Sequence, residues 1–307
     1  MNGILNKKLL SICIPTFNRA EILNSTLFTL FSNPEFDESK IEVIVSDNCS
    51  TDNTAEIVAK YPLVSYYKNN ENLGDLNFSI VLEYATGSYI KLFNDTLSFK
   101  EGALKKMLYA INKHSLDNCN LFFYSNMFLN NDCLVITKSK FNFLKKVSFY
   151  TTWIANFGCW KQDYEKITNK NKYAKLQFVQ VDWSYRIVEN TKSTFIYFED
   201  FFDVAVPKNK GGYNLFEIFI NKYLFIIKKE NFSIINYEIE KYRLYRYFIY
   251  SWLISLKITD KQKYTFDTEG VFKLIFKKYW YEPYFYPMLI LFCFKKIKNE
   301  TKNKKNS

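Results

Sequence analysis

A doubly wound, mostly parallel α/β sheet flanked by helices, with a C-terminal helical extension, is the fold class this sequence predicts. Three observations predict it. Short apolar runs alternate with amphipathic runs from residue 9 to about residue 115. Three of the apolar runs end at Thr16, Asp47 and Asp95, polar residues of the kind that sit where ligands meet such sheets. Beyond residue 207 apolar residues recur at helical spacing.

Residues 9–14 are an apolar run ending at Pro15, which reads as a buried strand. Leu23, Leu27, Leu30 and Phe31 mark one face of the following helix. Residues 41–45 form a β-branched strand that ends at Ser46 and Asp47. Ser50, Thr51 and Asp52 offer side-chain caps for a short helix running to about Lys60. A third strand covers 64–67, a polar loop 69–74, and a helix carries Asn77, Ile80, Val81 and Tyr84. Residues 89–93 are a fourth strand, ending in Asn94-Asp95-Thr96, before a helix marked by Leu104, Met107 and Ile111. From 121 to about 206 short strands (121–124, 134–137, 194–198) mix with irregular aromatic segments, predicting a second half built on the same sheet. Residues 207–212 read as a linker or turn. A helical stripe follows at Ile235, Ile239, Tyr242, Tyr245, Ile249, Trp252 and Leu256.

Composition bounds the function. A chain of 307 residues with 48% hydrophobic and 19% aromatic residues can fill a large core. The net charge of +11 suits phosphate, nucleic acid or an anionic membrane. Charge alone supports nucleic acid, with no recognisable module for it, so none is expected as a partner. From Lys295 onward six lysines and one glutamate give the tail +5. That tail follows an aromatic-aliphatic stretch, the usual pair of signals for an anionic membrane surface. Codon bias and a solubilising tail account for the same lysines equally well. Six cysteines without a C-x-x-C pair predict buried, reduced thiols. A single histidine, His114, argues against a histidine triad or a histidine-rich metal site. The first six residues lack a signal-peptide core, and no apolar run reaches a bilayer-spanning length. The expected location is cytoplasmic, or peripheral on the cytoplasmic face of the inner membrane.

Four motifs stand in order: Ser11-Ile12-Cys13-Ile14-Pro15-Thr16-Phe17-Asn18-Arg19; Val45-Ser46-Asp47-Asn48 with Ser50-Thr51-Asp52-Asn53-Thr54; Asn72-Leu73-Gly74 with Asn77; and Ala85-Thr86-Gly87-Ser88-Tyr89-Ile90 before an acidic turn. Together they resemble the family 2 glycosyltransferases of the GT-A fold, most closely over residues 9–110 and loosely over 150–190. Gly211-Gly212-Tyr213-Asn214 before a helix is similar to bacterial O-antigen transferases of the abequosyltransferase type. The resemblance implies a GT-A domain at 1–206, with a nucleotide-sugar half to about 115 and an acceptor half after it. A helical region with a basic tail would occupy 207–307. It also implies transfer of a sugar from a nucleoside diphosphate sugar to a glycan or lipid-linked hydroxyl, with inversion, in bacterial surface polysaccharide synthesis. A nucleotidyltransferase would need a glycine-rich basic loop, which residues 9–20 lack. A degenerate nucleotide-sugar-binding scaffold is the reading outside enzymes.

Residue roles follow in the same terms. Asp47, at a strand end, can accept from a base N–H or a ribose hydroxyl; the same carboxylate also suits a turn cap. Thr16 and Arg19 face the nucleotide on this reading, Arg19 pairing with phosphate or simply beginning a solvated helix. The resemblance places Asn77 at the nucleotide. The family usually carries two or more carboxylates in the acidic turn, whereas Asn94-Asp95-Thr96 has one. Asp95 with Asn94 is therefore the expected site for Mg²⁺ or Mn²⁺ on the diphosphate, and metal independence or lost catalysis are the other readings. Gln180-Val181-Asp182-Trp183-Ser184-Tyr185-Arg186 resembles the family segment that bears the catalytic base, making Asp182 the candidate, or else a helix-capping surface residue. Trp160 and Trp183 are candidates for stacking on an acceptor sugar or for the core. Residues 156–160 are a candidate acceptor loop, with Gly158 allowing close approach.

Overall fold

Strand β1 (Leu10–Thr16) is buried at every position, as a strand covered by helices on both faces must be. It pairs in parallel with β2 (Ile41–Asp47) on one side and β4 (Tyr89–Leu92) on the other, and β2 pairs with β3 (Val64–Lys68). Helices α1 (Ala20–Phe31), α2 (Thr54–Val58) and α3 (Leu76–Glu83) make the connections. The chain thus builds β1, β2 and β3 outward, and α3 then returns it to the far side of β1. The crevice between the C-terminal ends of β1 and β4 is the point where the strand order reverses. In such sheets that is where ligands bind.

The computed structural model describes residues 8–125, 133–189, 193–205, 212–259 and 265–306, with side chains to Thr301 in the last span. They divide into two compact units, 1–207 and 208–307. Most of the 207–212 turn lies outside the described residues, as does Gly211, the first residue of Gly211-Gly212-Tyr213-Asn214.

The rest of the first unit comprises β5 (Leu97–Phe99), α4 (Ala103–His114), β6 (Cys119–Tyr124), β7 (Leu134–Thr137), α5 (Lys140–Val147), β8 (Gly158–Trp160), α6 (Lys161–Glu165), α7 (Val179–Glu189), β9 (Ser193–Phe198) and β10 (Phe202–Val204). The expectation of a second half on the same sheet is corrected. Among the described residues of that half only β8 joins the main sheet, antiparallel to β4, while β6, β9 and β7 form a separate three-stranded sheet and β5 and β10 a two-stranded ribbon. Side chains bridge from the main sheet to β6: the Tyr89 hydroxyl donates to the Leu121 carbonyl at 2.9 Å, and the Trp160 indole to the Cys119 carbonyl at 2.8 Å. The candidate acceptor loop is largely this strand. Gly158 does permit close approach, but to Tyr89, whose hydroxyl would lie 2.8 Å from an added Cβ.

One core gathers Leu23, Leu27 and Leu30 of α1, Leu104, Met107 and Ile111 of α4, and Tyr89, Phe93 and Trp160. The thiols of Cys13, Cys119 and Cys159 are buried and free as expected, but Cys133 and Cys293 are exposed.

The second unit is helical over its described residues: α8 (Leu215–Glu217), α9 (Leu224–Lys229), α10 (Ile234–Arg243), α11 (Tyr250–Ile254), α12 (Val271–Tyr279) and α13 (Phe285–Asn306). π-helical turns at Ile218–Tyr223, Leu244–Ile249 and Ser255–Thr259 interrupt the first four. They break the expected stripe. Ile235, Ile239 and Tyr242 are exposed, whereas Tyr245, Ile249 and Leu256 are buried. The wider π turn after Arg243 shifts the phase of the helix, so a regular spacing in sequence crosses from one face to another. On its inner face α10 buries Tyr237, Glu240 and Lys241. Glu240 accepts from the Tyr223 hydroxyl at 2.8 Å, and Lys241 pairs with Glu282 and donates to the Tyr281 hydroxyl at 2.8 Å. Partners of this kind are what make buried charge tolerable.

Lys91, in the middle of β4, is fully buried, donates to the Ala155 carbonyl, and lies 5.6 Å from the Phe202 ring centroid. Burial lowers its ammonium pKa to about 7. Between that value and the ordinary lysine range the unfolded chain binds the proton and the folded chain does not, so stability rises with pH across this window. Lys91→Met is expected to stabilise the protein near neutral pH. Urea unfolding should show that advantage shrinking by about 2 kcal/mol as pH rises two units. A constant advantage at both pH values would show that Lys91 does not titrate in this way.

Candidate functional site

The site is built where β1, β2 and β4 end. Register places Thr16 of β1 beside Asp47 of β2, and the Phe93 N–H donates to the Cys13 carbonyl at 2.8 Å, carrying the β4 end forward beside β1. Asp95 then lies at the crevice. Its Oδ2 accepts from the Thr16 hydroxyl and its Oδ1 from Arg19 Nη1, each at 2.9 Å. The Thr26 hydroxyl of α1 donates to the Asp95 carbonyl at 2.9 Å. Burial raises the Asp95 pKa above the ordinary carboxylate value, against the opposing pull of Arg19 and the Thr16 hydrogen bond. The Arg19 side chain is about half exposed, so its guanidinium can reach an anion while holding Asp95. Beside it, Asn94 Oδ1 is buried with no hydrogen-bond partner. An orphaned acceptor of this kind calls for a missing ligand, water or ion.

The turns after β1 and β2 are sewn together. Asn18, at a positive φ of 50°, receives the Thr51 N–H on its Oδ1 at 2.8 Å, and its own N–H donates to the Ser50 hydroxyl at 2.8 Å. Asp52 accepts from the N–H of Ala20, at the start of α1, at 3.0 Å and from the N–H of Thr54 at 3.1 Å. Asp52 thus ties the first turns of two helices together from one residue before the Asn53 N-cap. Asp47 is wholly buried; it accepts from the Ser50 N–H at 2.8 Å and the Tyr66 hydroxyl at 2.6 Å. It therefore serves the turn, as its capping alternative required, with carboxylate lone pairs left over.

Asn77 is also buried and inward-looking. Its Oδ1 accepts from Ser46 Oγ at 2.6 Å and Asn69 Nδ2 at 2.9 Å, and its Nδ2 donates to the Ser46 carbonyl at 2.9 Å. It fixes the end of β2 to α3 rather than reaching outward. Asn48 completes this network. Its Nδ2 donates to Asn72 Oδ1 at 2.8 Å, while its Oδ1 accepts from the Leu73 N–H at 2.9 Å and from Asn69 Nδ2 at 3.2 Å. Sequence reasoning missed Asn48, Asn69 and Tyr66 as builders of the site. The asparagines' clustering after the β2 and β3 strand ends was the available signal.

Asp182 lies in the first turn of α7, almost without accessible surface, and pairs with Arg186 at 3.1 Å. It is not the exposed cap that its alternative reading required. Trp160 and Trp183 are core residues. Trp160 packs edge-on against Tyr89, and Trp183 donates to the Lys170 carbonyl at 2.8 Å while packing on Phe157 and Tyr164. Neither presents an open face to a sugar, because both rings are enclosed by aromatic neighbours and both indole N–H groups are satisfied internally. Sequence could not separate these two roles, since both use the same side chain.

Among the described residues His114, Asp117 and Cys119 place ligand atoms within 4.8 Å of one another. This group lies where α4 ends and β6 begins, while Asp95 lies past the end of β4. His114 Nδ1 is 2.7 Å from Asp117 and Nε2 3.1 Å from the Tyr197 hydroxyl, so both ring nitrogens are engaged. Burial pushes the Cys119 thiol up to about 11.

The model for "Glycosyl transferase family 2" matches residues 11–182. The chain belongs to that family. Its family 2 match begins on β1, takes in the crevice, and ends at Asp182. The abequosyltransferase RfbV of Salmonella typhimurium is 36% identical over 117 residues, which are 36% of this chain and 33% of that protein. This chain spans about a third of the length of the first curated relatives it matches. The fold is that of Staphylococcus aureus TarS, whose residues 1–349 in complex with UDP-GlcNAc superpose with a TM-score of 0.57 at 15% identity, covering 82% of this chain and 77% of that one. The mannosyltransferase PcManGT of Pyrobaculum calidifontis, in complex with GDP-Man and Mn2+, gives 0.53 at 14% identity, covering 78% and 71%.

Asn48→Ala removes one donor and one acceptor that together hold four hydrogen bonds of the 69–74 loop. The expected cost is about 2 kcal/mol of stability. Amide exchange at Leu73, whose N–H would lose its acceptor, should accelerate more than exchange in β1. Uniform acceleration would mean that the network does not hold the loop.

Proposed function

We propose that this family 2 chain transfers a sugar from a nucleoside diphosphate sugar to a hydroxyl of a glycan or lipid-linked acceptor, with inversion, in bacterial surface polysaccharide synthesis. The observation that carries the reading is the Asp95–Arg19–Thr16 constellation at the strand-order reversal of a family 2 domain. Two neighbours of the same fold carry a nucleoside diphosphate sugar, UDP-GlcNAc and GDP-Man respectively, which supports that donor class. The nucleoside would lie over the sewn turns after β1 and β2. Asp47 would shape that wall and offer its remaining lone pairs, with Thr16 and Asn77 acting as positioning residues. Arg19 would bind the diphosphate.

The donor atoms beside the crevice are all oxygens: the Asp95 carboxylate and the unpartnered Asn94 Oδ1. Such a set fits a hard divalent cation, which accepts one or two protein carboxylates when phosphate oxygens and water complete its shell. In this proposal Asp95 and Asn94 hold Mn²⁺ or Mg²⁺. Bound there, the ion would neutralise charge on the leaving diphosphate.

On the acceptor side Asp182 would take the hydroxyl proton. The acceptor oxygen bonds to the anomeric carbon from the face opposite the diphosphate, the bond from that carbon to the diphosphate oxygen breaks, and the diphosphate departs with the electron pair. A binding-only scaffold is the second reading. Its support is the burial of Asp182 against Arg186 together with the single carboxylate of the acidic turn.

Two measurements test this. Nucleoside diphosphate affinity should be higher with Mn²⁺ or Mg²⁺ than in EDTA, and Asp95→Ala should erase the difference while leaving the protein folded. Equal affinity in wild type under both conditions would remove the metal from the proposal. Asp182→Asn should lower turnover by about 10² to 10⁴ and leave nucleotide affinity near wild type. Full transferase activity in that variant would end the base assignment; a wild-type protein that binds donor but never turns over with glycan acceptors would favour the scaffold.

A further inference from the structure

The last two helices of the second unit carry apolar rows that stay about half exposed, although the rings of Phe272 and Phe276 meet Phe292 and Phe285 of α13 edge to face. On α12, Phe272, Phe276 and Trp280 follow one another at four-residue intervals, the last just past the helix end, and are 48%, 54% and 50% exposed. The adjoining side of α12 buries Val271, Ile275 and Tyr279, so the helix already has its core face. Helix α13 repeats the pattern. Phe285, Met288 and Phe292 are buried, while Tyr286, Ile290, Phe294 and Ile297 are 48%, 56%, 67% and 60% exposed. Spacings of four, four and three put those four residues in one row. An ordinary surface helix carries polar residues on its outer side. Contiguous exposed apolar surface of this kind marks an interaction site.

The charges between the rows say what covers them. Lys273 and Lys277 are exposed beside the α12 row, and Lys295, Lys296 and Lys298 beside the α13 row. Acid is scarce over the same stretch: Glu282 is committed to Lys241, and Glu300 lies 4.0 Å from Lys296. A second copy docking on this face would set lysine against lysine. A nucleic acid would neutralise the lysines but leave the aromatic and aliphatic rows without a partner. An anionic bilayer satisfies both, apolar side chains entering between acyl chains and lysines meeting headgroup phosphates. Trp280, Tyr281 and Tyr286 gather near the junction of the two helices, and tryptophan and tyrosine are the residues that settle at the headgroup level. At the usual helical rise α13 runs about 33 Å, long enough to lie along a membrane. No helix among the described residues is long and apolar enough to cross one.

We infer that the outer face of α12 and α13 is a docking surface for an anionic lipid bilayer, with Phe272, Phe276, Trp280, Ile290 and Phe294 inserted and the flanking lysines on the headgroups. The inference rests on residues of the second unit alone, so its test is independent of the transferase proposal. The test is cosedimentation of the full chain with vesicles of phosphatidylcholine, with or without about one-third phosphatidylglycerol. Binding is expected to the mixed vesicles only and to weaken with added salt. Phe276→Ser with Trp280→Ser should reduce it about tenfold or more, and Ile290→Ser with Phe294→Ser likewise. All four positions are exposed, so thermal melts should stay near wild type, and the two pairs on separate helices guard against one failing to fold. Exchanging Lys273, Lys277, Lys295, Lys296 and Lys298 for Gln should remove the preference for anionic lipid. Absence of binding to mixed vesicles would overturn the inference, as would undiminished binding by both double-serine variants. Concentration-dependent dimerisation that the same serine variants abolish, without vesicle binding, would assign the face to a second copy instead.

Discussion

The crevice exists because one buried carboxylate ties together two strands that the chain order pulls apart. β1 and β4 are neighbours in the sheet, but 79 residues of chain separate Thr16 from Asp95. Asp95 bridges the gap through Thr16 and Arg19 from the β1 end, and Thr26 of α1 holds its backbone carbonyl. Taking a carboxylate out of water costs several kcal/mol unless charge and hydrogen bonds compensate. The opposing effects on the Asp95 pKa express that contest, with burial winning and Arg19 limiting the shift. Arg19 therefore has two tasks that compete for one guanidinium: opposing the upward shift of Asp95 and leaving positive charge exposed at the crevice.

Several of the motifs that carry the family resemblance do their work away from the crevice. In Ala85-Thr86-Gly87 the N–H groups of Thr86 and Gly87 donate to Glu42 at 2.6 and 2.9 Å, and the Thr86 hydroxyl donates to it at 2.7 Å. Burial favours the protonated acid, but these bonds and one from the Ser11 hydroxyl hold Glu42 below its ordinary pKa. Gly87 is required because a Cβ there would meet Ser11 Oγ at 2.5 Å. This cluster joins the starts of β1, β2 and β4, the end of the sheet opposite Asp95. Asn72-Leu73-Gly74 likewise supplies loop geometry, through Asn48. The resemblance is thus largely a record of how the strands are locked in register, and the crevice inherits its shape from that.

How much was legible in sequence follows from the same physics. Except for β5, the strands and helices up to His114 were legible because each strand is a short apolar run between turn residues and each helix has one apolar face. Thr16, Arg19 and Asp95 were legible as a group because strand ends in a parallel sheet converge. Asp47 and Asn77 were found, but not the direction their side chains take, since an Asn or Asp at a strand end can face the turn or the ligand with the same spacing. Trp160 and Trp183 failed as sugar platforms for a related reason: only packing decides whether an aromatic face is covered. The single stripe read along 235–256 failed because π turns are invisible to a fixed 3.6-residue period. The separate β6-β9-β7 sheet was hidden because pairing of β6 with β9, as of Cys119 with Ser193, joins segments far apart in the chain and leaves no local trace.

The single carboxylate of the acidic turn has a consequence for charge that does not depend on how the rest of the family is built. Asp95 and Arg19 cancel, and Asn94 adds no charge, so the described groups that meet at the end of β4 are neutral as a set. A nucleoside diphosphate arriving there adds negative charge to a neutral site. A second carboxylate in place of Asn94 would make the same site anionic, and the diphosphate would then have to enter with a cation already in place or meet net repulsion. With Asn94 the protein side gives up affinity for the ion and gains tolerance for the free diphosphate. The unpartnered Asn94 oxygen still offers a neutral ligand, so the expected behaviour is weak metal binding by the protein alone and stronger binding once diphosphate oxygens join Asp95. On the proposed reading, the asparagine would change when the ion arrives, a neutral ligand deferring it until diphosphate oxygens join Asp95.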